Sequence, residues 1–382
     1  MQTFRKILFW LHLTAGVLAG IFIFIMCVTG ALLSFESNIL SFAEHEMRTV
    51  AVPSENAQRL SVNEIVAKVT EAKPNAKPSN ITLQNDRTAA ATVVLGREGQ
   101  VFVNPYTGAI TGEGASGWRS FFRVTEDLHR WLAFSGSGRA VGKSLNDAAN
   151  LLFLFLAISG IYIWFPRQWT RKHFAPILWF RRASSGKARD FNWHNTIGFW
   201  TSLVLIILTV TGAIISYQWA GNLLYTLTGN ELPQQQQAAP NAPNQSAEQQ
   251  AFILPENLEN SVQTAQNHTS WKSIALRLPI AKEAAVFTID EGIYWNIFGR
   301  STLTVDAKTG QVSKWEPYGE QNSARQLRSW ARFTHTGETG GFVGQLIGFI
   351  ACIGGAFLVY TGISLALRRF WNWRRKNARQ EV

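Results

Sequence analysis

Residues Ile7 to Phe35 read ILFWLHLTAGVLAGIFIFIMCVTGALLSF, 29 positions without an Asp, Glu, Lys or Arg. About 20 apolar residues suffice for a helix to cross the hydrocarbon core of a bilayer. The stretch exceeds a signal-peptide core, and Glu36 follows without a small-residue cleavage site, so it predicts a retained helix. Three further uncharged stretches run from Ala148 to Pro166, Phe191 to Asn230 and Thr339 to Leu367. The chain therefore predicts an integral membrane α-helical protein with four spans. The expected spans cover 7–35, 147–166, 193–218 and 340–367, leaving polar segments at 37–146 and 221–338, a basic loop at 167–190 and a basic tail at 368–382.

The mean hydropathy of −0.01 hides this segregation. Lys and Arg number 36 against 25 Asp and Glu, a net charge of +11, and the excess is placed unevenly. Arg5 and Lys6 precede the first span, seven basic residues from Arg167 to Arg189 separate the second and third, and Arg368, Arg369, Arg374, Arg375 and Lys376 follow the fourth. Basic loops face the cytoplasm, so both termini are expected there, with the polar segments on the periplasmic side of a bacterial inner membrane. Topology thus accounts for the charge, and no nucleic-acid partner is needed. The two cysteines, Cys27 and Cys352, lie in apolar runs, which excludes a disulfide framework, a Cys-rich zinc site and an iron–sulfur cluster. No Cys-x-x-Cys-His is present, so covalently attached c-type haem is excluded too.

Internal repetition organises the chain. His12-Leu-Thr-Ala-Gly16 matches His194-Asn-Thr-Ile-Gly198, and Thr29-Gly30-Ala31 matches Thr211-Gly212-Ala213, both at an offset of 182. Val103-Asn-Pro-Tyr-Thr-Gly108 matches Val305-Asp-Ala-Lys-Thr-Gly310, and Ser159-Gly160-Ile161 matches Thr361-Gly362-Ile363, both at 202. A Gln- and Pro-rich insert at 232–250, with a composition that cannot bury a core, absorbs the difference and is expected to be disordered. Each half then reads as a span, a polar domain and a second span in the same orientation: a parallel duplication.

Each polar domain predicts a small α+β unit. The first has helical spacing over Ser61 to Thr70 and strand-like runs at Ala91 to Leu95 and Gln100 to Val103. The second has a helix over Glu256 to Gln266 and strands at Ala284 to Ile289, Ile293 to Ile297 and Ser301 to Val305. Gly112-x-Gly114-x-x-Gly117 has the spacing of a dinucleotide fingerprint but lacks a βαβ setting, so it is discounted.

Four of the seven histidines mark the span ends. His12 and His194 are equivalent under the repeat, and His129 and His335 precede the second and fourth spans, aligning once a gap of about four residues is allowed. A lone histidine at such a place is as often a hydrogen-bonded interfacial tip. Four at repeated positions suggest function, because ionisable groups near a membrane core are costly. Neutral imidazole is a good ligand for haem iron or another transition metal, and two from facing helices would complete six-coordinate haem. Gly16, Gly20 and Gly30 lie near the His12 face, as Gly198, Ser202 and Gly212 do near His194. Small residues there admit either a flat macrocycle or close helix packing. Arg123, Arg130 and Arg332 could pair with haem propionates or simply snorkel. His45, His173 and His268 have no equivalents and read as surface residues.

Trp10-Leu-His12 with Thr29-Gly30, Asn104-Pro-Tyr-Thr-Gly108, Leu128-His129-Arg130 and His335-Thr-Gly337 give the chain, over nearly its full length, a pattern that resembles the PepSY-associated transmembrane family, and within it the inner-membrane ferrisiderophore reductases. That resemblance implies four helices, two periplasmic PepSY-like domains and b-type haem. It also implies a ligand role for His12, His194, His129 and His335, and electron delivery from a cytoplasmic donor to a ferric siderophore, with hydroxamates favoured by their hard oxygen donors. Two bis-histidine haems are expected. The competing expectations are a regulatory protein whose outer domains bind a periplasmic peptide or protease, and a siderophore transporter. The absence of Asp, Glu, Lys and Arg from the four uncharged stretches weakens proton coupling.

Overall fold

The computed structural model describes residues 2–96, 99–166, 170–182, 185–232, 254–255, 257–280, 283–292, 298–378 and 380. The first half of the chain runs α1 (Gln2–Leu33), α2 (Glu36–Ala43), α3 (His45–Arg48), α4 (Val62–Ala72), β1 (Asn80–Gln84), β2 (Ala91–Val94), β3 (Gln100–Val103), β4 (Ile110–Gly112), α5 (Ser116–Trp131) and α6 (Arg139–Trp164). After α7 (Arg171–Leu178), the second half runs α8 (Gly186–Ser216), α9 (Gln218–Leu227), α10 (Leu258–His268), β5 (Ser273–Arg277), β6 (Ala284–Asp290), β7 (Ser301–Asp306), β8 (Val312–Glu316), α11 (Ser323–His335) and α12 (Gly341–Ala378). These elements form two compact units. One comprises residues 1–36, 120–224 and 327–382, the other 37–119 and 225–326.

The first unit is a bundle of α1, α6, α8 and α12, each long and apolar enough to cross a membrane. A helix satisfies its own backbone hydrogen bonds, which is the condition for entering lipid. Large apolar side chains point outward, among them Leu18 and Leu203, each 68% exposed, an arrangement suited to lipid and costly in water. Around the bundle, α1 packs on α6 and α12, and α8 packs on the same two helices. Ala19, Ile23, Met26, Cys27, Ala149, Phe153, Leu205 and Ala351 form its interior. Small residues set the approach: a Cβ on Gly355 would lie 2.6 Å from Cys27 Sγ, and one on Gly354 2.6 Å from Thr201 Cγ2.

The second unit holds one eight-stranded antiparallel sheet in the order β4-β3-β2-β1-β5-β6-β7-β8. The segments expected to form two separate α+β domains are instead joined where β1 pairs with β5, Asn80 opposite Arg277 through Gln84 opposite Ser273. Pairing buries Ile81 and Leu276 in a core shared with the apolar faces of α4 and α10. Ser61 and Glu64 cap α4 reciprocally. The strand-end turns repeat in detail. Asn104 Oδ1 accepts from the amides of Tyr106 and Thr107, Asp306 Oδ1 from those of Lys308 and Thr309, and Gly108 and Gly310 close the turns at φ +74° and +72°. The helix expected from Glu256 starts at Leu258, and β1, β4, β5 and β8 were not anticipated. The strand expected at Ile293 to Ile297 and nearly all of the 232–250 insert lie outside the described residues.

Candidate functional site

Each of the four histidines closes onto a Ser-Gly or Thr-Gly dipeptide on a neighbouring helix. His12 on α1 meets Ser159 Oγ of α6 through Nδ1 at 2.8 Å, and His194 on α8 meets Thr361 Oγ1 of α12 at 2.9 Å. His129 on α5 meets Thr29 Oγ1 of α1 at 2.8 Å, and His335 on α11 meets Thr211 Oγ1 of α8 at 3.2 Å. The glycine that follows each hydroxyl lies under the ring. A Cβ there would stand 3.5 Å (Gly160), 3.4 Å (Gly362), 3.4 Å (Gly30) and 3.2 Å (Gly212) from Cε1 of His12, His194, His129 and His335 respectively.

The hydroxyls also fix the tautomer. A hydroxyl has one proton, and Thr29, Thr211 and Thr361 donate theirs to carbonyls one turn back in their own helices, Ile25, Ile207 and Phe357, at 2.6, 2.7 and 2.8 Å. Ser159 does the same to Leu156 at 3.3 Å. With the threonine protons so placed, His129, His194 and His335 donate from Nδ1–H into the hydroxyl oxygen, and among the described residues no hydrogen bond engages Nε2 of the four rings. His335 gives independent support, since its Nδ1 also lies 2.9 Å from the Leu208 carbonyl, which can only accept. A ring oriented by a hydrogen bond at one nitrogen and open at the other is the usual state of a metal-ligating histidine.

The histidines come in twos. His129 and His335 face each other with ring centroids 6.3 Å apart and planes at 54°. Two metal–nitrogen bonds of about 2 Å, plus the distance from each nitrogen to its ring centre, would bring two ligand rings on one ion to about 6 Å. Desolvation pulls His129 down to about 4, helped by His335, and the same effect lowers His335, which favours the neutral form of the rings on α5 and α11. His12 and His194 share a cavity of about 450 Å³, walled by Phe9, Phe153, Leu156 and Leu358 among others. Gly16, Gly198 and Ser202 line it, whereas Gly20 packs on Val359 and Ile363 of α12 instead. Flat apolar walls, glycines where a Cβ would intrude and two imidazoles fit a bis-histidine macrocycle. Among the described residues no group of three or more His, Cys, Asp or Glu converges.

Of the three arginines expected near the second pair, Arg130 is held by Glu126 at 2.7 Å and lies over Trp131. Arg332 lies over Phe333, and Arg123 is exposed. The corners that lead from α5 and α11 into the spans account for the four-residue gap. A Cβ on Gly142 would overlap the Trp131 carbonyl, and one on Gly344 the Gly337 carbonyl, positions eleven residues apart in the first corner and seven in the second. The extra length is taken up partly by Leu132 and Ala133, at φ 54° and 59°. The clasping hydroxyls were missed by sequence reading, although the four Ser/Thr-Gly dipeptides were its repeat markers.

Four helices long and apolar enough to cross a membrane define a multi-span membrane protein. The chain belongs to the PepSY-associated TM region family, whose profile matches residues 9–369. No curated protein was found to match it.

Proposed function

We propose that the chain is a dihaem b oxidoreductase of the bacterial inner membrane, passing electrons from a cytoplasmic donor to a periplasmic ferric siderophore. One observation carries this reading: four imidazoles in two pairs, each with its Nδ1 within hydrogen-bond reach of a Ser or Thr hydroxyl and, among the described residues, with no hydrogen bond at Nε2. His12 and His194 would hold one haem, His129 and His335 the other, with Arg123, Arg130 and Arg332 near the second as candidates for its propionates. Haem b held by two imidazoles supplies reversible one-electron chemistry. The chain's own residues fix ring rotation and tautomer through the hydroxyls, admit close approach at the glycines and exclude water with apolar walls.

The spacing supports transfer across the membrane. Along α1, Thr29 lies seventeen residues beyond His12, about 25 Å of helical rise, against a hydrocarbon core of about 30 Å. The basic segments set the His12 end toward the cytoplasm. The halves read as a parallel duplication with two PepSY-like segments sharing a sheet. In the net reaction the donor loses one electron and ferric iron gains it. Hard hydroxamate oxygens hold the ferrous product poorly.

The test is anaerobic addition of a ferric hydroxamate to the dithionite-reduced, detergent-solubilised chain after excess reductant is removed. Reoxidation with one ferrous ion trapped by a chelator per electron is expected. Bound haem that ferric chelates leave reduced would restrict the reading to electron transfer to another acceptor. Absence of haem would favour a peptide-binding regulatory role.

A further inference from the structure

The end of the bundle where α8 and α12 meet carries four basic residues that are used in two ways. Arg189 donates to Asp190 Oδ1 at 3.1 and 2.9 Å, and Arg368 reaches Asp190 Oδ2 at 3.4 Å, where Ser364 also donates at 2.7 Å. Those two cations share one buried carboxylate. Lys187 and Arg369 do not: among the described residues neither has an acidic partner. Both line the cavity that contains His12 and His194, and both are exposed, so the cavity reaches the surface between them.

Arg369 is held in place. Its guanidinium lies 5.0 Å from the Phe9 ring and 4.7 Å from the Trp10 ring, and Phe9 is itself part of the cavity wall. Asn195 and Asn372 add polar lining, and Trp164, on the same wall, has a buried indole N–H without an acceptor among the described residues. An apolar slot with two unpaired cations at its mouth and an unused donor in its wall complements a flat apolar body with anionic groups on one edge. We propose that Lys187 and Arg369 form an anion subsite for the propionate carboxylates of the macrocycle in this cavity, so that its acid edge faces the open end. This rests on the haem reading above.

The test compares ferric protoporphyrin IX with its dimethyl ester, which keeps the ring and iron but loses both charges. Haem-free full chain carrying H129A/H335A, so that only the His12/His194 cavity takes up pigment, is titrated with each and followed by the Soret band, beside the same chain with K187Q/R369Q or with R189Q. Circular dichroism checks that each variant is folded. The free acid should bind at least about tenfold more tightly than the ester, K187Q/R369Q should bind the two alike, and R189Q should keep the preference. Equal binding of both pigments before any charge is removed would overturn the subsite. So would a preference that survives K187Q/R369Q, or one lost equally in R189Q, which would make it a general effect of charge. Uptake of neither pigment would instead sink the haem reading.

Discussion

His12 and His194 sit on α1 and α8, two of the helices that make the bundle, whereas His129 and His335 ride on α5 and α11 and reach it through a corner. Both pairs end in the same clasp, a Ser or Thr hydroxyl on Nδ1 and a glycine under the ring. Where the histidine is part of a span, helical register fixes its position, and the two halves align without a gap. Where it sits on a separate helix, the clasp fixes its position and the corner can drift in length. The clasp rather than the local sequence is therefore the constant feature.

The largest effect should come from the rings. His12→Ala or His194→Ala should lower pyridine haemochrome from about two haems per chain toward one, or turn that haem five-coordinate and high-spin, and His129→Ala or His335→Ala should do the same to the other, since each removes one of the two imidazoles of its site. Loss of both haems from one substitution would show that the pairs are not independent.

Corners come next. Gly142→Ala forces a Cβ onto the Trp131 carbonyl and should cost about 1–3 kcal/mol, with the His129/His335 site failing first on heating. Gly16→Ala, where the nearest atom is Leu156 Cδ2 at 3.8 Å, should leave the melting temperature nearly unchanged. Equal effects would mean that the corner does not hold the second pair.

The sheet supplies a control outside the bundle. Glu44 is fully buried and receives Arg119 and Arg48, with the Ala115 amide as a third donor at 3.1 Å. Desolvation pushes its carboxyl up, but these hydrogen bonds outweigh it and hold the group below the usual carboxylate range. Its contribution is complete above the ordinary carboxylate pKa and is lost as pH falls through the lowered value. Glu44→Gln should weaken hydrogen-exchange protection in the sheet unit by about 1–3 kcal/mol at neutral pH and flatten its acid limb, with haem content unchanged.

The smallest and most discriminating effects lie among the clasps. Ser159→Ala removes the hydroxyl acceptor of His12 and should weaken haem retention about 10–100-fold. Thr211→Val should cost less, because His335 keeps the Leu208 carbonyl at 2.9 Å. The reverse order would contradict the tautomer assignment.

Spans and histidines were legible because each is a property of one stretch: a run without charge, a ring at a repeated offset. The helices α5 and α11 lie among charged residues, as in Arg123 to Arg130 and Arg325 to Arg332, outside the uncharged runs from which the spans were read. The single sheet depends on β1 meeting β5 across nearly two hundred residues, a pairing that no local period records. Likewise, Ser159, Thr29, Thr211 and Thr361 meet their histidines across 100 to 167 positions. What could be read of them was the dipeptide, repeated four times.

The central claim is that two pairs of clasped imidazoles hold two haems. Its most direct test is the haem content and spectrum of the purified full chain, expressed with haem precursor and read oxidised and dithionite-reduced. About two b-type haems per chain, both low-spin as two imidazole ligands require, is the predicted result; a colourless chain, or haem bound below one per chain without dependence on the four histidines, would contradict it.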